Sequence, residues 1–241
     1  MNLRAAVRWL ALAGIAALAG CASSDKPPPT PLETVEPRIA GRQVWASSVG
    51  RVGFPLVPAA HGGVFYVASG DGEVLALQAD NGTVLWRASA GGALSAGVGS
   101  DGRFTSVVTR GNEVVTFDGG RELWRKRLPS SVVTPPLVAG ERVFVMGVDR
   151  AVHAFDALDG RRLWLLQRPG DALTLAQSGV IVAYRNTLLV GQGARLAGVD
   201  PVRGNVLWEV PMASPRGTNE VERLADLVGP AVRIGNLVCA R

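Results

Sequence analysis

The stretch GEVLALQADNGTVLW, residues 72–86, decides how the chain is read. Val74, Leu75 and Leu77 lie on a β-rich run. Asn81-Gly82 breaks it, and both residues tolerate the positive φ of a tight turn. Val84-Leu85-Trp86 reads as the returning strand, so the segment is at least a hairpin. It is also one instalment of a series. Trp45, Trp86, Trp124, Trp164 and Trp208 recur at intervals of 41, 38, 40 and 44 residues. Four residues before each stands a glycine: Gly41, Gly82, Gly120, Gly160 and Gly204. GNEVVTFDGGRELW (111–124), RAVHAFDALDGRRLW (150–164) and GARLAGVDPVRGNVLW (193–208) repeat the order of strand, Asp/Asn/Gly turn, strand and tryptophan.

The period selects the architecture. Repeats of roughly 40 to 45 residues with four short strands each are β-propeller blades. The other half of each repeat supplies the remaining strands, as in FPLVPAAHGGVFYVASGDG (54–72), TPPLVAGERVFVMGVDR (134–150) and LVGPAVRIGNLVCA (227–240). Helical repeats of similar period are excluded, because glycine and β-branched residues on this scale destabilise helices. The fold class is therefore all-β, a propeller of Trp-docking repeats. Four full blades are expected at 54–87, 94–125, 134–165 and 175–209. A lone Trp strand is expected at 38–46, and an opening half-blade at 227–241.

The 241 residues include 30 glycines and 15 prolines, which suits a turn-dense β fold. The formal charge is +5, falling to about +3 without Arg4 and Arg8, too mild to argue for nucleic acid. The densest basic run, RELWRKR (121–127), reads as a solvated strand edge guarded by charge or as a patch for an acidic partner. Residues 1–20 read as a secretory leader: two arginines, an apolar run from Trp9 to Leu18 too short to span a bilayer, then Leu18-Ala19-Gly20-Cys21. This matches a bacterial lipobox, which implies lipid attachment at Cys21 and anchoring by several acyl chains. Ala22 follows, with no aspartate to signal inner-membrane retention. Residues 21–37, with five prolines, read as a lipidated tether reaching up to roughly 50 Å if extended. The body then occupies 38–241. Cys239 is the second of two cysteines and is expected to be buried or to have a partner outside the chain.

The chain ends in IGNLVCAR, within an expected strand. Two readings stay open here, a chain shortened at its C-terminus and a four-bladed propeller.

Lipobox, tether and Ala-x-Asp-x-x-x-Gly-x3-Trp repeats together resemble the BamB family of propeller lipoproteins, in the outer-membrane β-barrel assembly machinery. AFDALDGRRLW (154–164) is the cleanest repeat. RGTNEVERLADLVGP (216–230) is the most particular match, through Gly217, Glu220, Val221, Glu222, Arg223, Leu224 and Asp226. The resemblance implies an eight-bladed propeller, of which this chain holds a part. It implies a non-enzymatic scaffold without cofactor, lipid-anchored at the periplasmic face of the outer membrane. Its partners would be the POTRA domains of BamA, with unfolded barrel proteins as clients. The implied contacts come from two neighbouring inter-blade loops. The first is Leu173-Thr174-Leu175-Ala176, where alanine replaces the family's arginine. The second holds Arg223 and Asp226, with Val228 where the family has a second acidic residue. Read from the residues alone, Leu173 and Leu175 are strand residues pointing into the core of the next blade, and Arg223 serves equally as a partner of Glu220 or Glu222.

The Gly-x3-Trp repeat is similar to that of quinoprotein dehydrogenases, which need a calcium site and a catalytic acid or base. No convergent cluster supplies one. Asp71, Asp149, Asp156, Asp159 and Asp200 stand at separate turns, where Asp bonds the local backbone. His61 and His153 follow no metal-ligand spacing and read as ordinary turn and strand residues.

Overall fold

In the computed structural model, residues 31, 41–167, 177–214, 216, 218–219, 221–222 and 224–240 are described. The chain divides into two units, Met1–Arg42 and Gln43–Arg241, and all the described strands belong to the second. No helix occurs among the described residues.

The second unit is a succession of antiparallel meanders. The first sheet joins β1 (Ala59–His61), β2 (Val64–Ala68), β3 (Glu73–Gln78) and β4 (Val84–Ser89) in that order. The second joins β5 (Gly99–Ser100), β6 (Phe104–Val108), β7 (Glu113–Asp118) and β8 (Arg121–Arg127). The third runs β9 (Leu137–Ala139), β10 (Arg142–Met146), β11 (Val152–Asp156) and β12 (Arg162–Leu166). The fourth runs β13 (Ile181–Tyr184), β14 (Thr187–Gln192), β15 (Arg195–Val199) and β16 (Val206–Pro211). A final hairpin pairs β17 (Val232–Ile234) with β18 (Leu237–Cys239), the expected half-blade.

The core lies between sheets rather than beneath them. One cluster joins the first blade to the second through Tyr66, Val74, Val107 and Phe117. Another joins the second to the third through Val114, Trp124, Val143 and Phe155. A third joins the third to the fourth through Phe144, Val152, Leu188 and Val199. Middle strands are therefore covered on both faces. In β3 the four residues Val74 to Leu77 are all buried, whereas β4 alternates. Continuous apolar runs are what two-sided burial demands.

Trp86, Trp124, Trp164 and Trp208 sit on outer strands opposite small residues, and the indoles of the first three reach the next blade. The cross-strand partners are Ala76 for Trp86, Thr116 for Trp124, Ala154 for Trp164 and Gly198 for Trp208. A register shift follows each pair, at the same place in all four sheets. The indoles of Trp45, Trp86, Trp124 and Trp164 lie against Gly82, Gly120, Gly160 and Gly204 of the blade that follows. Those glycines have φ of 73°, 86°, 69° and 77°, which a side chain would strain. Trp45, Trp124 and Trp164 also donate their ring N–H to the carbonyls of Ala79, Ala157 and Pro201, at 2.8, 2.8 and 3.0 Å.

Three expectations change. Residues 41–46 form no strand, because a strand needs a hydrogen-bonded neighbour and none of the described strands pairs with them. Gly41 differs from its four equivalents, since a Cβ there would meet nothing within 4 Å. Trp208 is 41% exposed and lies over Gly198 of its own sheet instead of a following glycine. The charged run 121–127 does form a sheet edge, β8, with Trp124 as its buried residue.

Candidate docking site

The short segment Asp226–Gly229 is held across two blades. Leu227 is buried, donates its N–H to the carbonyl of Gly193 at 2.9 Å, and lies beside Gly191 of β14. Gly229 donates to Ser178 at 2.7 Å, and Val228 forms a bridge with Gly179. Gly179 in turn donates to Thr134 Oγ1 at 2.9 Å, which ties the fourth blade's approach to the third. Asp226 reaches back to the third blade, where Arg150 Nη2 meets its Oδ1 at 3.3 Å. Both side chains are largely withdrawn from water, at 14% and 15% exposure.

Arg150 is positioned by its turn. Gly147-Val148-Asp149-Arg150 joins β10 to β11, and Arg150 takes a φ of 61°. The matching turns of the first two blades put Gly72 and Asn112 there, also at positive φ. Glycine and asparagine adopt that region cheaply, but arginine does not. From this position its guanidinium meets Asp226, and this is the site residue that sequence reasoning missed. An arginine where its equivalents are glycine and asparagine was the available signal. Together Arg150, Asp226, Leu227 and Thr134 border a small cleft of about 50 Å3.

Of the expected contact residues, Asp226 stands in this cleft, paired with Arg150. Leu173, Thr174, Leu175, Ala176 and Arg223 lie outside the described residues, as does the lipid-attachment position Cys21. Val228 is half-buried at the cleft's edge. Just upstream, Glu222 accepts hydrogen bonds from the N–H and hydroxyl of Thr218 at 2.7 and 2.9 Å. These donors hold its carboxyl below the usual carboxylate range.

The aspartates of the turns serve the backbone. Asp156 accepts from Leu158, Asp159 from Arg161, Asp149 from Ala151, and Asp200 from Val202, at 2.9, 2.7, 3.2 and 2.7 Å. The bond from Val202 lowers the Asp200 carboxyl pKa, and the hydroxyl of Ser69 does the same for Asp71. Among the described residues, no group of three His, Cys, Asp or Glu is arranged to hold a metal. His61 ends β1, exposed, whereas His153 is buried on β11 at 3% exposure. Cys239 is free and exposed, so the expectation of burial does not hold; β18 lies at the edge of its two-stranded sheet.

Comparison with known proteins agrees with this architecture. A family model described as outer membrane protein assembly factor BamB matches residues 33–94 and 70–241. A BamB of Bordetella pertussis is 37% identical over 249 aligned positions, covering 99% of this chain and 64% of that protein. A BamB of Burkholderia pseudomallei is 35% identical, covering 100% of this chain and 65% of that protein. The chain thus spans just under two thirds of the length of these relatives. The crystal structure of BamB from Moraxella catarrhalis superposes with a TM-score of 0.70 at 22% identity, over 81% of this chain and 60% of that one. A quinohemoprotein alcohol dehydrogenase from Pseudomonas putida superposes at 0.53 and 15% identity, over 79% of this chain and 39% of that one, which is a likeness of fold. By the family match and by these relatives, the chain belongs to the BamB family of outer membrane protein assembly factors.

Proposed function

We propose that this chain works as a non-enzymatic scaffold in outer-membrane protein assembly, tethered through Cys21 at the periplasmic face of the outer membrane. Its docking face is the pair of inter-blade loops that carry Leu173, Thr174 and Leu175 and then Arg223 and Asp226, and its partner is the POTRA region of BamA. The observation that supports this most is the clamping of Asp226–Gly229 across the third and fourth blades, beside the cleft. A segment fixed at that many points presents its neighbours to a partner with little ordering cost, and preorganisation is what affinity from a small surface requires. Leu173 and Leu175 supply the apolar anchors and Arg223 a polar rim, with Asp226, held by Arg150, fixing the segment. The scaffold role needs only a rigid body and a tether, and the stacked blades supply the body. Unfolded barrel proteins would meet sheet edges by strand addition.

Titration of the chain against purified POTRA domains tests this reading. Saturable binding is expected, weakened about tenfold or more by Leu173→Ala with Leu175→Ala. Absence of saturable binding, or binding indifferent to that double substitution, overturns it.

A further inference from the structure

The groove between the second and third blades carries a site that the docking face does not use. β8 ends in Lys126-Arg127, and Arg161 and Arg162 stand across the groove at the start of β12. They border a cleft of about 310 Å3 whose lining includes no acidic residue. Arg161 is shared with Asp156 and Asp159, at 3.8 and 4.0 Å. Lys126, Arg127 and Arg162 have no ion-pair partner among the described residues. All three are exposed.

Charge on a sheet edge accounts for the basic residues of β8. It does not account for His153, which also lines the cleft. His153 is 3% exposed, and its ring lies parallel to that of Phe155, 2° apart in plane with centroids at 6.1 Å. Its Nε2 is buried and has no hydrogen-bond partner. A polar atom left this way costs free energy, and phenylalanine would fill the same stack without that cost. Burial, helped by Arg162 and opposed by Asp149, holds its pKa below 6.5. An anion in the cleft reverses these penalties. It gives three cations a counter-charge and favours an imidazole N–H directed toward it.

We propose that this cleft binds a phosphate-type oxyanion, held by Lys126, Arg127 and Arg162 over His153. Two arginine forks and a lysine point charge match several oxygens on one centre better than a single carboxylate. The volume admits an esterified phosphate as well as the free ion, so a phospholipid headgroup and inorganic phosphate share the required chemistry.

The chain has two histidines, and His61 stands outside the cleft, so imidazole 15N signals report the site against an internal reference. The full chain is titrated with inorganic phosphate, then with vesicles of phosphatidylglycerol and of phosphatidylcholine. A saturable shift of His153 with His61 unmoved is expected, weakening as salt rises. The triple variant K126A/R127A/R162A, whose changed side chains are exposed, should bind at least about tenfold more weakly. A response to inorganic phosphate assigns the free oxyanion. A response to phosphatidylglycerol vesicles alone assigns the headgroup. No response of His153 to either probe, an equal response to phosphatidylcholine, or unchanged binding by the triple variant overturns the proposal.

Discussion

The indole of Trp124 lies so close to Gly160 that a Cβ on that glycine would come within 2.5 Å of the ring. Trp124 belongs to the second blade and Gly160 to the turn between β11 and β12 of the third. The same indole donates to the carbonyl of Ala157 at 2.8 Å and sits 5.9 Å from the ring of Phe155. One side chain thus fastens a blade to its successor by shape, by a hydrogen bond and by an aromatic contact. The spacing of four between glycine and tryptophan is a device for handing each blade to the next. The glycine receives the preceding indole, and the tryptophan four residues later reaches the following glycine.

Gly160→Ala should destabilise the chain by about 2 kcal/mol or more, because it combines a φ of 69° with a collision against a buried ring. Gly41→Ala is the control, since its added methyl meets open space. It should change stability by less than about 0.5 kcal/mol. Urea denaturation of both variants decides the matter, and similar losses at the two glycines would remove the docking explanation.

Much of this fold was legible because each hairpin carries its own punctuation. Gly119-Gly120 close β7 onto β8 with φ of 58° and 86°, the left-handed pair of a two-residue hairpin. At Gly82 only the glycine of the expected Asn-Gly pair takes positive φ, within a longer loop closed by a bond from Gly82 to Gln78. The starts of the blades were less legible. β5 is only Gly99–Ser100, and such short inner strands of small residues carry almost no β signal. The burial of His153 was hidden for another reason. β11 is covered on both faces, so alternation along the strand does not reveal which side chains meet water. The link from Arg150 to Asp226 crosses 76 residues, and nothing local to either one announces it.

Arg150→Ala should cost about 1–3 kcal/mol, since it removes a charged partner from a half-buried carboxylate. Relief of the strained φ offsets little, because alanine is also strained there. Asp226→Ala should cost a similar amount. In a double-mutant cycle read by urea denaturation, the two changes together should fall short of additivity by about 1 kcal/mol. Strict additivity would mean that the 3.3 Å pair does not fasten the segment.

Cys239 should react as an open thiol. It lies exposed on β18, in the two-stranded sheet. In a Cys21→Ala chain, a bulky maleimide should modify one thiol per chain under native conditions, at a rate within about threefold of that in urea. Protection that disappears only on unfolding would contradict the exposed position.

The buried imidazole of His153 makes stability depend on pH in a definite direction. Burial holds its folded pKa below the ordinary 6.5, and Arg162 adds to the effect while Asp149 opposes it. Above pH 6.5 both folded and unfolded chains carry the neutral ring, and its contribution to stability is fully present. As pH falls below that value, the unfolded chain takes up a proton that the folded chain refuses. Stability then falls, at up to about 1.4 kcal/mol per pH unit, until the folded pKa is reached. His153→Phe preserves the stack on Phe155 while removing the titration. Urea denaturation of both chains at pH 7.5 and 5.0, without phosphate, should give the variant the smaller loss on acidification. Equal losses would mean that the ring takes up its proton as readily in the fold as in the unfolded chain, and that its enclosure by β10, β12 and the groove leaves it open to water.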